Sequence, residues 1–226
     1  MAPGGYAPPA WSVQAYPGII GGTLWDAAEQ RRHIEAHSGF RYARKHNLPL
    51  WIGECGAVFN IPPQMAPDRV RAMDDQLGLF NEYGLHWSVW AYKDVGAMGM
   101  VRVKPDSEYL KTLAPFLEKK ARIQVDSWMS WVPDNPARRK VRELAEIIVT
   151  EADEPDLDAG SAASFLDQMV LSGYAAHVLQ PSFARLFRDM SEEKIDQVLR
   201  SWKFPACQVN TAYAEVIRAR AGQGAG

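Results

Sequence analysis

Hydrophobic and polar positions along the first half of the chain change repeatedly between a strand-like and a helix-like period. Three segments have the composition and alternation of strands: residues 11–16, 49–54 and 85–92. Apolar residues then recur at helical spacing after each strand, over residues 24–46, 68–83 and 106–119. Strands that alternate with helices in this way predict parallel βαβ units, so this half is expected to be an α/β fold.

The predicted helices begin and end at residues that commonly cap helices. Thr23 and Asp26 resemble a capping box at the start of the first helix, and Asn47 closes that helix. Asp68 is the predicted N-cap of the second helix. The strand at residues 49–54 is apolar on both faces, which favours a parallel sheet that helices cover.

After about residue 120 the pattern is helical only. A helix is predicted after Asn135 and Pro136, and further helices are predicted at residues 161–179, 191–202 and 210–220. An acidic stretch at 151–158 separates the first of these from the others. The predicted organisation is a linker at 1–10, an α/β unit at 11–124, a helical extension at 125–220 and a disordered tail at 221–226.

Composition and charge exclude several classes of partner. The chain has 226 residues, a formal net charge of −2 and only two cysteines. This balance does not favour binding to nucleic acid or to an anionic membrane, and no Cys/His cluster with metal-ligand spacing is present. Residues 1–11 lack the features of a signal peptide, and no apolar run approaches the ~20 residues of a membrane span, so the sequence leaves the compartment undetermined.

Chemistry is predicted where the three strands end. The stretch "LPLWIGECG" carries Glu54 at the end of an apolar strand, although burying an unpaired carboxylate costs several kcal/mol. Tyr16 and Trp90 end the other two strands, and the three residues are almost evenly spaced along the chain. Ligands bind at the carboxyl ends of parallel strands in open sheets and in barrels, so these three residues form a candidate site.

Residue parity groups further side chains with this site. Gln14 shares a face with Tyr16, and His86 shares a face with Trp90. A carboxylate beside a phenol and a Trp ring is suited to binding a sugar and attacking it. Each residue also has a structural alternative, because Glu54 can cap a loop and because Tyr16, His86 and Trp90 can pack in a core. Lys93 and Asp94 can form an ion pair at the strand exit.

Three motifs resemble one family of enzymes. "PLWIGECG" is similar to the seventh strand of glycoside hydrolase family 5, the cellulase-like TIM barrels, where the corresponding Glu is the catalytic nucleophile. "LHWSVWAYKD" resembles the eighth strand, with Trp90 as the sugar platform and Lys93 after it. "VQAYPG" resembles the sixth strand, where Tyr16 fits and Gln14 stands in place of the usual histidine. The resemblance covers residues 11–120.

The resemblance implies a fold and an activity. The fold is the C-terminal portion of a (β/α)8 barrel, three βα units long, followed by the helical extension. The activity is retaining hydrolysis of a β-linked glycan by two carboxylates, without a metal ion or an organic cofactor. The implied roles are nucleophile for Glu54, orientation of that nucleophile for Tyr16 and sugar binding for the remaining site residues: Gln14, His86, Trp90 and Lys93.

The resemblance also implies a second carboxylate that the chain does not supply in the expected place. The family carries its acid/base on an Asn-Glu pair in the fourth strand, whereas the only such pair here, Asn81-Glu82, lies in a predicted helix. The chain is therefore expected to be the C-terminal part of a longer enzyme, to need the N-terminal half of the barrel and to fold poorly alone. Two alternatives stay open: a carbohydrate-binding relic without catalysis, and an interaction module that uses the helical extension.

Overall fold

The computed structural model describes residues 15–59, 63–93, 98–123, 136–153 and 157–223. The chain divides into two compact units, Met1–Arg102 together with Cys207–Gly226, and Val103–Ala206. Within the described ranges the fold is mixed α/β and mostly helical, with three two-stranded sheets and no closed barrel. The barrel portion that the motifs imply therefore stays a proposal. No helix in these ranges is long and apolar enough to cross a membrane.

The first unit contains small sheets and the helices that cover them. Its strands are β1 (Gly18–Ile20), β2 (Thr23–Trp25), β3 (Trp51–Cys55), β4 (His86–Val89), β5 (Val101–Val103, whose last residue belongs to the second unit) and β6 (Cys207–Val209). Its helices are α1 (Ala27–Ala36), α2 (Ser38–Lys45), α3 (Ala66–Glu82) and the C-terminal helix, here called α9 (Thr211–Gln223). β3 and β4 pair in parallel across α3, which makes one βαβ unit.

The second unit is helical. Its helices are α4 (Glu108–Ile123), α5 (Pro136–Ala152), α6 (Ala159–Leu166), α7 (Ala176–Ala184) and α8 (Glu192–Leu199). A π-helical segment, Asp167–Ala175, joins α6 to α7, so the helix predicted at 161–179 is three helical segments. The helices predicted after Asn135 and Pro136 and over 191–202 are present, the latter with a final 3-10 turn, Arg200–Trp202.

A β-hairpin occupies residues 18–25, where the sequence pattern predicted no strand and, from residue 24, a helix. β1 and β2 pair antiparallel, and Gly21 and Gly22 form the two-residue turn with φ of 57° and 82°. Positive φ at both turn positions matches the right-handed twist of a hairpin, and glycine adopts it without steric cost. The predicted strand at 11–16 is not seen at residues 15 and 16, and its other residues lie outside the described ranges.

The single helix predicted over residues 24–46 is also wrong, because the chain forms two helices that meet at His37. His37 has an extended backbone with φ −68° and ψ 131°, and its ring accepts a hydrogen bond from the backbone of Gly39. The side chain thereby satisfies an amide at the start of α2, as a capping residue does. The periodicity of apolar residues continues through this break, which is why the pattern alone predicted one helix.

The start of α1 offers a direct test of its capping. The Asp26 Oδ1 atom accepts a hydrogen bond of 2.9 Å from the backbone N–H of Glu29. Replacing Asp26 with Ala should lower the free energy of unfolding by about 1 kcal/mol, because one helix N–H loses its partner. Urea unfolding measures this difference, and Asp26→Asn is the matched control that keeps a capping oxygen. Equal losses in the two variants would contradict the capping role.

The core of the first unit lies between the β3–β4 pair and the helices α1, α2 and α3. Its buried side chains include Ile34, Phe40, Ile52, Met73, Leu77 and Phe80. The C-terminal helix α9 packs against α3 and closes this core. The Tyr213 ring lies 5.1 Å from the Phe59 ring, and Arg220 Nε is 2.7 Å from Asp74 Oδ1. The last helix of the chain is thus part of the α/β unit.

Candidate active site

A bulge in β3 decides where Glu54 points. Trp51 pairs with His86 and Ile52 with Trp87, but the next paired residues are Cys55 and Val89. Two residues of β3, Gly53 and Glu54, thus correspond to one residue of β4. This count is that of a β-bulge, in which the extra residue shifts the register and re-aims the side chains that follow.

The bulge places Glu54 on the exposed side of the sheet. In a regular strand Glu54 would share the face of Ile52, which is buried in the core. Because of the extra residue, Cys55 takes the buried face instead, and Glu54 is exposed. The chain therefore does not bury this carboxylate. Gly53 is the sequence feature that indicates a bulge here, since glycine inside a strand often marks one.

The exposed side of β3 and β4 carries polar and aromatic groups. Trp51 is 66% exposed, and its Nε1–H donates to Ser88 Oγ over 3.1 Å. His86 is exposed on the same side, so it is not a core histidine. The expectation that helices cover both faces of β3 is therefore wrong for the described residues. The sequence analysis assigned no role to Trp51 or Ser88. Their positions were predictable, because Trp51 alternates with Gly53 on one strand and Ser88 alternates with His86 on the other.

The opposite side of β4 packs against the core. Leu85 is buried, and Trp87 and Val89 pack against the core cluster. The indole N–H of Trp87 donates to Asn81 Oδ1 over 2.9 Å. The alternation predicted for this strand is confirmed over these residues, but the strand ends at Val89 and not at residue 92.

Trp90 follows β4 and lies beside the end of β3. Its backbone N–H donates to the carbonyl oxygen of Cys55 over 2.7 Å. Its side chain is 38% exposed. Glu54 precedes Cys55, so this bond brings the ends of the two neighbouring strands together. Lys93 follows three residues after Trp90 and forms an isolated parallel β-bridge with Val101 through its backbone. Asp94, the predicted ion-pair partner of Lys93, lies outside the described residues.

Tyr16 is held by two helices of the first unit. Its side chain is 2% exposed, and its hydroxyl donates to Asp75 Oδ2 over 2.6 Å. The hydroxyl oxygen of Tyr16 also accepts a hydrogen bond of 2.9 Å from Gln30 Nε2. Burial and the Asp75 carboxylate both raise the pKa of Tyr16, so the phenol keeps its proton. The single hydroxyl proton of Tyr16 is donated in a hydrogen bond to Asp75 and not to Glu54.

The predicted orienting role of Tyr16 therefore has no hydrogen bond behind it in this structure, and it stays a prediction. The backbone of Tyr16 is tied to the same surface, since its N–H donates to Asp68 Oδ2 and its carbonyl accepts from Arg71. Asp68, Arg71 and Asp75 follow one another along one side of α3. Gln14, the other residue predicted on this strand, lies outside the described residues.

These contacts predict that Tyr16 contributes to stability. Replacing Tyr16 with Phe should cost about 1–3 kcal/mol, because the buried Gln30 amide and the Asp75 carboxylate each lose a partner. Tyr42→Phe is the matched control, since that ring is 60% exposed. Urea unfolding of both variants makes the comparison, and equal stability of the two would show that the Tyr16 hydroxyl bonds contribute nothing.

Metal binding has no arranged ligand set in the part of the chain that the structure describes. No group of three or more His, Cys, Asp or Glu side chains there is placed to hold a metal ion. The chemistry available at the ends of β3 and β4 is that of an exposed carboxylate and an indole ring. A flat aromatic face offers an apolar surface to a sugar ring, and a carboxylate can act as a nucleophile or a base.

Comparison with known proteins finds a similar curated protein. The chain is similar to a beta-xylosidase of Phanerodontia chrysosporium, with 28% identity over 215 residues. The similarity covers 89% of this chain and 45% of the relative, so the chain spans about half the length of the curated protein it matches. No protein-family model matches the chain, and no solved structure matches it. Membership of glycoside hydrolase family 5 therefore stays a prediction.

Proposed function

We propose that this chain is part of a retaining β-glycosidase in which Glu54 is the nucleophile and Trp90 is the sugar platform. The observation that carries the proposal is the bulge at Gly53 and Glu54, which turns the carboxylate out of the core beside the strand end that bears Trp90. The similarity to a beta-xylosidase supports the hydrolysis of a glycosidic bond and says nothing of the retaining mechanism.

The proposed reaction has two steps. A Glu54 oxygen attacks the anomeric carbon, the glycosidic C–O bond breaks, and the leaving oxygen takes a proton from a second carboxylic acid. Water, deprotonated by that second group, then attacks the same carbon and releases the sugar and the Glu54 carboxylate. Trp90 holds the apolar face of the ring so that the anomeric carbon faces Glu54.

The second carboxylate has no candidate at the Asn-Glu pair of this chain. Glu82 ends α3 and forms a two-point ion pair with Arg31, with Arg31 Nη2 2.6 Å from Glu82 Oε2. We therefore place the acid/base on further strands of the same barrel. Those strands would cover the exposed side of β3 and β4 at Trp51 and complete the site.

The substrate we propose is a β-linked xyloside. The name of the relative is the reason for choosing xylose among β-linked sugars. Xylose lacks the hydroxymethyl group of glucose, so a xyloside presents a flatter ring to an indole face.

An aryl xyloside with a very acidic phenol tests this proposal on the chain itself. Dinitrophenolate leaves without being protonated, so the first step does not need the second carboxylate. The 226-residue chain should release dinitrophenolate from 2,4-dinitrophenyl β-xyloside faster than buffer does, as measured by absorbance. The α-xyloside is the matched control, because its leaving group occupies the opposite face.

Two other outcomes would decide between the remaining alternatives. Binding of xylo-oligosaccharides by calorimetry, without release of phenolate, would favour the non-catalytic carbohydrate-binding protein. If the chain shows no binding and no release, the proposed sugar site at Glu54 and Trp90 is contradicted.

A further inference from the structure

Gly56 lies directly against the backbone of Trp90. A Cβ atom added to Gly56 would be 2.2 Å from the Trp90 carbonyl oxygen and 3.3 Å from its carbonyl carbon. Cβ atoms in proteins essentially never come within 3.0 Å of another heavy atom of this kind. Gly56 is also buried. The nearest side-chain atom to the added Cβ would be Met98 Cε, at 3.8 Å. The close approach therefore exists only because residue 56 has no side chain.

The segment that carries Trp90 is held through its main chain on both sides. On one side the Trp90 N–H donates to the Cys55 carbonyl over 2.7 Å. On the other side the Ala91 carbonyl accepts a bond of 3.0 Å from Met100. The indole itself is 38% exposed, so its position depends strongly on where these backbone contacts hold it.

We infer that Gly56 is a positioning residue that fixes the separation between Trp90 and Glu54. This inference rests on the proposed function. Glu54 is two residues before Gly56 on the same segment, so an outward shift of the Trp90 backbone would move the sugar platform away from the carboxylate. A displacement of about 1 Å between a bound substrate and a catalytic group can cost about 100-fold in rate. Gly56 touches no substrate, and it acts through Trp90.

The test compares Gly56→Ala with Gly222→Ala, a change in α9 of the same unit, in a chain labelled with 5-fluorotryptophan. The fluorine resonance that is missing in Trp90→Phe identifies Trp90. We expect this resonance to shift in Gly56→Ala while the resonance of Trp25 stays in place. It should not shift in Gly222→Ala, because a Cβ at Gly222 would meet nothing within 4 Å. Circular dichroism selects a temperature at which both variants are fully folded.

The same samples give a kinetic readout at that temperature. Gly56→Ala should release the first equivalent of dinitrophenolate about 100-fold more slowly than the unchanged chain, because the separation of the sugar from Glu54 is altered. An unchanged Trp90 resonance in folded Gly56→Ala would overturn the inference. A shifted Trp90 resonance in Gly56→Ala, together with an unchanged chain that releases no dinitrophenolate, would support the positioning of Trp90 by Gly56 and contradict the proposed glycosidase.

If Gly56→Ala does not fold, hydrogen exchange of the unchanged chain provides the measurement. The Trp90 N–H of the unchanged chain should then exchange with solvent deuterium slowly, because it donates to Cys55 beside Gly56. Exchange of this amide at the rate of an unprotected peptide would overturn the positioning of Trp90 by its backbone.

Discussion

Replacing Glu54 with Gln is expected to abolish glycoside cleavage while the chain keeps its fold. The amide is close in size to the carboxylate but is a very poor nucleophile, so no glycosyl ester can form. Release of dinitrophenolate from the aryl xyloside should fall by at least about 1000-fold, since removal of a nucleophile typically has effects of this size or larger. Because Glu54 is exposed, the free energy of unfolding should change by less than about 0.5 kcal/mol.

Glu118→Gln is the matched control for this variant. Glu118 is also exposed, and it lies in α4 of the second unit. The same chemical change there should leave the release rate unchanged. Retained activity in Glu54→Gln would remove Glu54 from the nucleophile role, whereas equal loss in both variants would point to a general effect of the substitution.

Replacing Tyr213 with Ala is expected to destabilise the first unit more than any other change considered for its stability. Tyr213 is fully buried in α9, and its ring contacts Phe59 of the core. Truncating a large buried aromatic side chain costs about 3–5 kcal/mol, because apolar contacts are lost and a cavity remains. The last helix of the chain would then be essential to the fold that presents Glu54. Urea unfolding, followed by circular dichroism, measures the loss.

Glu215→Ala, on the same helix but exposed, is the control for the Tyr213 variant. A change within about 0.5 kcal/mol is expected for this surface substitution. If the two variants were equally stable, α9 would contribute no core to the first unit.

Local pattern was enough to predict the elements around the candidate site. The alternation of residues 85–89 correctly divided β4 into a core side and an exposed side. The helix between β3 and β4 was also predicted, although it begins at Ala66 and not after Asp68. Local alternation succeeds here because one face of β4 packs on α3 and the other does not.

Other features depend on contacts that are distant in sequence or on backbone detail. The bulge shifts the in-and-out alternation of β3 by one residue. A strict two-residue alternation therefore placed Glu54 on the buried face of the strand, whereas its side chain is exposed. Tyr16 finds its partner Asp75 across 59 positions, and no local pattern indicates that bond. The hairpin was a signal that was present and missed, because two glycines between short apolar runs are typical of such a turn.

Covalent trapping of Glu54 tests the central claim most directly. A 2-fluoro substituent on 2,4-dinitrophenyl β-xyloside slows both chemical steps, while the good leaving group keeps the first step accessible, so a glycosyl ester accumulates in a retaining enzyme. After proteolysis, mass spectrometry should find one fluoroxylosyl group per chain on the peptide that contains Glu54, and none in Glu54→Gln. A label on another carboxylate, or no label on a chain that releases dinitrophenolate, would contradict the assignment of Glu54 as the nucleophile.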